Sequence, residues 1–255
     1  MRRSNVEGIV KSLSLNQTQS NVLQVERREH LSEQEFIKNY LNKGLPVIFS
    51  QEAANWACTK KWNFEFLKEK YPDDEFSLID TTGLVEKNYD KSDGKDRPVL
   101  IDKIKASDFV EAMKRGEKIY LRFCPIMETH PELADDLDQT WLKKMRRCFL
   151  GISYQTFIGP TKRKTPLHAE TTAFFYIMAD GEKKWTLFSP TALSVLNPEP
   201  EGRGYNYTKI DLDKPDLSKY AGVNLVTRYT CNIKKGDILF VPAWMWHEVE
   251  NIEDG

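Results

Sequence analysis

With 255 residues, 40% of them hydrophobic, the chain is long enough to bury one large core, and 37 basic against 38 acidic residues leave a net charge of −1. That balance gives no whole-molecule reason to bind a polyanion, so any such contact has to come from a local basic patch. Four cysteines, Cys58, Cys124, Cys148 and Cys231, form no C-x-x-C pair, which disfavours a zinc module and a dense disulfide framework.

The start of the chain shows no secretory pattern, and no apolar run reaches the roughly 18 residues of a membrane span, so a cytoplasmic or nuclear protein with no membrane partner is expected. Residues 1–24 are polar with scattered aliphatics and suit a short strand or helix docked on the body. Ser32, with Glu35 three positions on and Phe36, Tyr40 and Leu41 at helical spacing, predicts a capped helix ending near Lys43-Gly44. Leu45 to Phe49 follows as a buried strand, and Asn63 opens a second helix through Phe64, Phe66 and Leu67.

From Glu75 to Leu100 the pattern is strand, polar mobile loop (Lys87 to Arg97) and strand. Ser107 starts another capped helix to Met113, and Lys118 to Phe123 alternates as a half-buried strand. From Cys148 to Asn251 short strands and turn signals dominate, and Asp180-Gly181 between apolar runs reads as a tight hairpin. The expected architecture is mainly β with α: a jelly-roll core, a double-stranded β-helix, over residues 119–255, carrying an N-terminal α/β elaboration over 1–118, as one unit.

His168-Ala169-Glu170 puts an imidazole and a carboxylate two residues apart, so on a strand both face the same side. An H-x-E pair alone is weak, because most are satisfied polar pairs. Only four histidines exist, however, and His168 and His247 both sit in largely apolar strand contexts where an unpaired imidazole is costly to bury. Two imidazoles and a carboxylate fill one face of an octahedron and leave three positions open, which suits Fe(II) oxygen chemistry. On the later strand Lys183, Trp185 and Leu187 share one face, so Lys183 needs an anion there, unless it reaches solvent at the hairpin end or Lys184 is the relevant lysine.

These stretches resemble the JmjC oxygenases, in particular their small hydroxylase branch, which includes an asparaginyl hydroxylase and a tRNA-modifying hydroxylase. The likeness rests on T-P-L-H-A-E (Thr165 to Glu170), on Gly181-Glu182-Lys183 followed by L-F-S-P, and on I-D-L-D-K-P-D (Ile210 to Asp216) before G-D-I-L-F-V-P-A-W-M-W-H (Gly236 to His247). G-L-P-V-I-F (Gly44 to Phe49) with Trp56 and Trp62 extends it over roughly residues 28 to 255. Lys183 lies 15 positions after His168, the offset of the hydroxylase branch rather than of the histone demethylases.

The resemblance implies Fe(II) held by His168, Glu170 and His247, and 2-oxoglutarate as cosubstrate, its distal carboxylate on Lys183 with help from Thr165 and Tyr120. Hydroxylation of a C–H bond follows from it, with Trp185 and Trp246 walling the pocket and Arg122 either contacting substrate or lying on the surface. Glu170 stands where hydroxylases usually carry Asp, Phe174 where they carry Asn, and the core is expected to lack its C-terminal end because the chain stops at Gly255. A protein or peptide substrate is expected. The alternatives are RNA contacted by Lys143 to Arg147 and Lys162 to Lys164, an N-methyl-lysine demethylase, or a non-catalytic cupin-like binding module.

Overall fold

The computed structural model describes residues 21–79, 100–117, 119–146, 152–200 and 205–255. Strands β1 (Val22–Gln24) and β2 (Glu26–Arg28) lead into helix α1 (Glu33–Asn39) and β3 (Val47–Phe49). Helices α2 (Ala57–Lys61) and α3 (Phe64–Lys70) precede the hairpin strands β4 (Glu75–Ile79) and β5 (Leu100–Lys105), then α4 (Ala106–Lys114). Next come β6 (Leu121–Cys124), α5 (Ile126–Thr129), α6 (Gln139–Met145), β7 (Thr156–Ile158), β8 (Lys164–Glu170), β9 (Phe174–Ile177) and β10 (Glu182–Phe188). The chain finishes with α7 (Leu193–Leu196), β11 (Glu199–Pro200), β12 (Tyr205–Tyr207), β13 (Arg228–Lys234), β14 (Ile238–Val241) and β15 (Trp246–Asn251).

Local chemistry explains several boundaries. Ser32 and Glu35 close the expected capping box on α1, and Gly44, at φ 61, ends the following 3-10 turn (Leu41–Lys43) in the left-handed region that glycine tolerates. Asn63 Oδ1 accepts from the Phe66 N–H at 2.8 Å and starts α3. Ser107 does not cap α4: Lys105 holds that position with no side-chain hydrogen bond, and Ser107 lies inside the helix. The polar segment 87–97 lies outside the described residues, as do residues 1–20 and Cys148.

Two sheets form the jelly-roll core. The larger runs β1-β13-β10-β15-β8-β12-β11, and the smaller β2-β3-β14-β9. Strand alternation sorts their side chains into three layers. Ile48, Leu239 and Val241 from the small sheet meet Trp185, Leu187, Ile233 and Val249 from the large one between the sheets. Val47, Phe49, Ile238 and Phe240 point outward into the helical layer, where Phe36 meets Phe240 edge-on with centroids 4.9 Å apart. On the far side of the large sheet Leu167, Ala169, Phe188 and Trp246 pack against Ala192, Leu196, Ile210, Leu212 and Val223.

Asp180-Gly181 does not make a hairpin. Gly181 has φ 75, and the turn carries the chain from β9, which pairs with β14, to β10, which pairs with β13 and β15 in the other sheet. The run from Thr165 to Met178 is likewise two strands, β8 and β9, in different sheets.

The turn between β13 and β14 holds a fully buried carboxylate. Asp237 accepts from Arg27 Nη1 at 2.7 Å, from the Gln51 N–H at 3.0 Å and from the Lys234 N–H at 3.1 Å, tying β2, the end of β3 and β13 together. Burial pushes its pKa up, but Arg27 and the backbone donors hold it below the usual aspartate range. That stabilisation is complete above the unfolded pKa of about 3.9 and is lost as pH falls through the lower folded value. Asp237→Ala should therefore cost about 3 kcal/mol in urea denaturation at neutral pH, a deficit that narrows on strong acidification. An unchanged neutral-pH midpoint would contradict this role.

Candidate metal centre

The centre is set by the pairing of β8 with β15, which puts His247 directly opposite His168. Both rings are buried, at 3% and 4% exposure, with centroids 4.1 Å apart. Glu170, two residues along β8, brings its Oε1 to 3.9 Å from His168 Nε2. One ligand atom from each of the three lies within 4.8 Å of the others.

Each imidazole is oriented by its own chain. His168 Nδ1 lies 2.7 Å from the Pro166 carbonyl and His247 Nδ1 lies 2.9 Å from the Met245 carbonyl, so each Nδ1–H donates there and each Nε2 keeps a lone pair for a metal. Burial, then His247 and Arg122, hold the His168 pKa well below the ordinary imidazole range. Burial brings His247 down to about 4, the Met245 carbonyl opposing and Arg122 adding to it. Both rings are neutral at pH 7, the form that ligates. Glu170 is raised by burial, with Arg122 pulling it back.

A bulge makes room for a second group. Between β8 and β15, His168 faces His247 while Thr165 faces Val249, so three steps on β8 match two on β15. The extra residue falls at Pro166-Leu167, and Thr165 and His168 consequently line the same cavity although their odd spacing would put them on opposite faces. Thr165 Oγ1 lies 3.4 Å from the Tyr120 hydroxyl, and Lys183 Nζ sits 5.6 Å from the centre of the Tyr120 ring. The structure thus brings His168, Glu170, His247, Thr165 and Tyr120 to the wall of one cavity, with Lys183 against the Tyr120 ring.

Lys183 is 1% exposed, whereas Lys184 is exposed to solvent. Its Nζ donates to Asn251 Oδ1 at 3.0 Å. Burial disfavours the ammonium, but the oxygens of Tyr120 and Tyr176 more than offset that and keep it above the usual lysine range. Among the described residues no carboxylate pairs with it. Asn251 and Tyr176 were not foreseen from the sequence. The signal for Asn251 is register, since it sits directly opposite Lys183 and four residues beyond His247 on the same strand.

The centre opens on a cavity of about 690 Å³ bounded in part by Glu170, Phe174, Tyr176, Trp185 and Arg146. Trp185 walls it, and its indole N–H has no hydrogen-bond partner. Trp246 does not wall it: next to His247 on β15, it faces the opposite way, into the layer of Leu167, Ala192 and Leu196. Arg122 is not on the surface but 5% exposed. His130 lies elsewhere, its Nε2 2.5 Å from Asp74 Oδ2.

Residues 32–254 match the family described as cupin-like domain. The chain belongs to that family. This agrees with the JmjC likeness of the sequence motifs. It is 27% identical over 237 residues to lysine-specific demethylase JMJ30 of Arabidopsis thaliana, covering 89% of this chain and 52% of that protein. It is 23% identical over 225 residues to lysine-specific demethylase 8 of Xenopus tropicalis, covering 86% and 48%. It is 24% identical over 251 residues to tRNA wybutosine-synthesizing protein 5 of Mus musculus, covering 91% and 76%. The chain therefore spans about half the length of those two demethylases and about three quarters of the tRNA-modifying protein.

The donor chemistry fits Fe(II): two neutral imidazoles, each with Nδ1 turned to a backbone carbonyl and Nε2 toward the shared site, and one carboxylate leave coordination positions open. A Co(II) titration followed by visible absorption should give one tight site per chain. His247→Ala should weaken it by more than about 100-fold, beyond the loss expected from removing an outer-shell partner. Equal binding by the variant would exclude His247 as a ligand.

Proposed function

We propose that the chain is an Fe(II)- and 2-oxoglutarate-dependent oxygenase that hydroxylates a C–H bond of a macromolecular substrate, most directly a protein side chain. The observation that carries this reading is the His168, Glu170 and His247 donor set within 4.8 Å, both histidines turned by their Nδ1 hydrogen bonds. It is joined by the buried Lys183 ammonium, which among the described residues has only the Asn251, Tyr120 and Tyr176 oxygens around it.

Bound Fe(II) with 2-oxoglutarate would supply oxygen activation and the oxidising power for C–H hydroxylation, with succinate and CO₂ as coproducts. This chain's residues supply position and electrostatics. His168, Glu170 and His247 hold the metal. Lys183 takes the distal carboxylate of the keto acid as a charge-assisted pair, while the Thr165 and Tyr120 hydroxyls beside it offer further hydrogen bonds. Phe174 and Trp185, with rings 5.4 and 5.5 Å from His247, keep water away from the donors.

A protein substrate is supported over RNA by two of the three cations of the stretch 162–164, while Lys162 and, in the stretch 143–147, Lys143 and Lys144 are exposed. Arg163 is buried, and Lys164 is held by Asp213 at 2.5 Å, with Glu248 and Glu250 within 3.8 Å. Neither side chain is free to track phosphates. The 76% coverage of the mouse tRNA-modifying protein is the observation that favours RNA as a second reading.

The test is succinate release from 2-oxoglutarate with added Fe(II), followed by NMR. Wild-type protein should turn over, and His168→Ala should not. Lys183→Met should lose about 2–5 kcal/mol of cosubstrate binding, a roughly thirtyfold or greater rise in KM. Equal rates for wild type and His168→Ala would refute the oxygenase reading. On peptide libraries, mass spectrometry should find addition of one oxygen, whereas loss of methyl groups with formaldehyde would assign a demethylase.

A further inference from the structure

A second cavity, of about 210 Å³, lies in the helical layer beside the metal centre and contains none of the three metal donors. Phe64 and Phe66 from α3, Leu133 from the turn before α6, and Phe175 and Ile177 from β9 give it an apolar lining. It does not end in that layer. β9 closes one side of the small sheet and pairs there with β14 alone among the described residues. Phe175 and Ile177 face the helices, whereas Tyr176 and Met178 face the space between the sheets, and all four line the cavity. Neighbours on a strand point to opposite faces, so a cavity touching both sets reaches around the edge of β9.

At that edge the lining includes Lys183, its one cation among the described residues. The one acid of the lining, Asp180, already pairs with Lys235 at 2.8 Å. Lys183 Nζ lies 5.9 Å from the centre of the Tyr176 ring, and Tyr176 lines both this cavity and the one at the metal donors. The ammonium therefore stands at the partition between the two. Apolar cavities of about 150 Å³ stay dry and accept benzene, so this one holds an apolar body of roughly eight non-hydrogen atoms on the same scale. A neutral guest would leave the buried ammonium with neutral oxygens only, and a dianion would set its second charge against aromatic carbon. One carboxylate on an apolar body meets both conditions.

We propose that this cavity is a second ligand site, taking an apolar monocarboxylic acid with an aryl or medium-chain alkyl body among Phe64, Phe66 and Leu133 and its carboxylate on Lys183. Occupancy goes beyond the oxygenase reading and needs no metal. Its consequence rests on that reading: one ammonium cannot serve this carboxylate and the distal carboxylate of the keto acid together, so the acid competes with the cosubstrate while leaving the metal in place.

The test uses the full-length chain, with hydrocinnamate and its neutral match hydrocinnamyl alcohol as probes. Calorimetry on metal-free protein should give one hydrocinnamate per chain, bound roughly tenfold or more tightly than the alcohol. Lys183→Met should erase that preference and keep the alcohol. Leu133→Trp fills the cavity and should abolish binding of both probes, with the fold checked by thermal melting; Phe64→Trp, at a half-buried position, does the same should the first variant fail to fold. In Mn(II)-loaded wild-type protein hydrocinnamate should raise the apparent Kd for 2-oxoglutarate in competition, and the filled variant should bind 2-oxoglutarate as the wild type does. Equal affinity for acid and alcohol overturns the proposal. So does hydrocinnamate binding that survives in a folded filled variant, which would place the acid in the metal cavity. If wild-type protein binds hydrocinnamate and loses it in the filled variant, yet takes up no 2-oxoglutarate with Mn(II), the second site stands and the oxygenase reading falls.

Discussion

The antiparallel pairing of β8 with β15 sets His168 against His247, and the rest of the site is arranged around that register. A slip of one residue would turn one imidazole to the outer layer, where Trp246 and Leu167 now sit. The register is enforced from both sides. β10 pairs with β15 along its length and places Leu187 beside His247 and Lys183 beside Asn251, so metal donors and the buried ammonium are spaced by one ladder. Hydrophobic residues on both faces of these strands make the alternative pairing expensive, because it would move Trp185 and Leu187 out of the inter-sheet layer.

Charge is the second constraint. Around the donor set the interior holds two neutral imidazoles and the Lys183 ammonium, with Glu170 as the acidic member of the set among the described residues. Such an inventory is unfavourable in an apolar protein core, and it becomes reasonable when cations and anions are bound. In the proposed oxygenase reading the dication sits on the donors and the keto acid's distal carboxylate on Lys183. Local backbone devices aim these groups. The bulge on β8 adds a residue and lets Thr165 and His168 line one cavity, which plain alternation would not allow.

Much of this was legible from residue identity and short-range spacing. The H-x-E pair on a strand, the distal histidine, the capping box of α1 and the burial of Lys183 on the face of Trp185 and Leu187 all follow from rules that act within a few positions. What escaped depends on partners far along the chain. The polar strand β2 exists because β3 offers a free edge, and nothing in its own three residues announces it. The Asp180-Gly181 signal names a turn but not which sheet receives the next strand. Trp246 was placed in the pocket by proximity to His247, although adjacent strand residues face opposite ways. Arg122 could be read either way, since the burial of an arginine depends on what packs over it from elsewhere in the chain.

The central claim is that one ion is shared by His168, Glu170 and His247. Crystals grown with Mn(II) and an oxalylated glycine in place of the keto acid, measured at the manganese absorption edge, address it directly. The account predicts a single strong anomalous peak in bonding contact with Nε2 of both histidines and with a carboxylate oxygen of Glu170. A peak at any other place in the fold, or a His247 ring rotated away from the other two ligands, would contradict it.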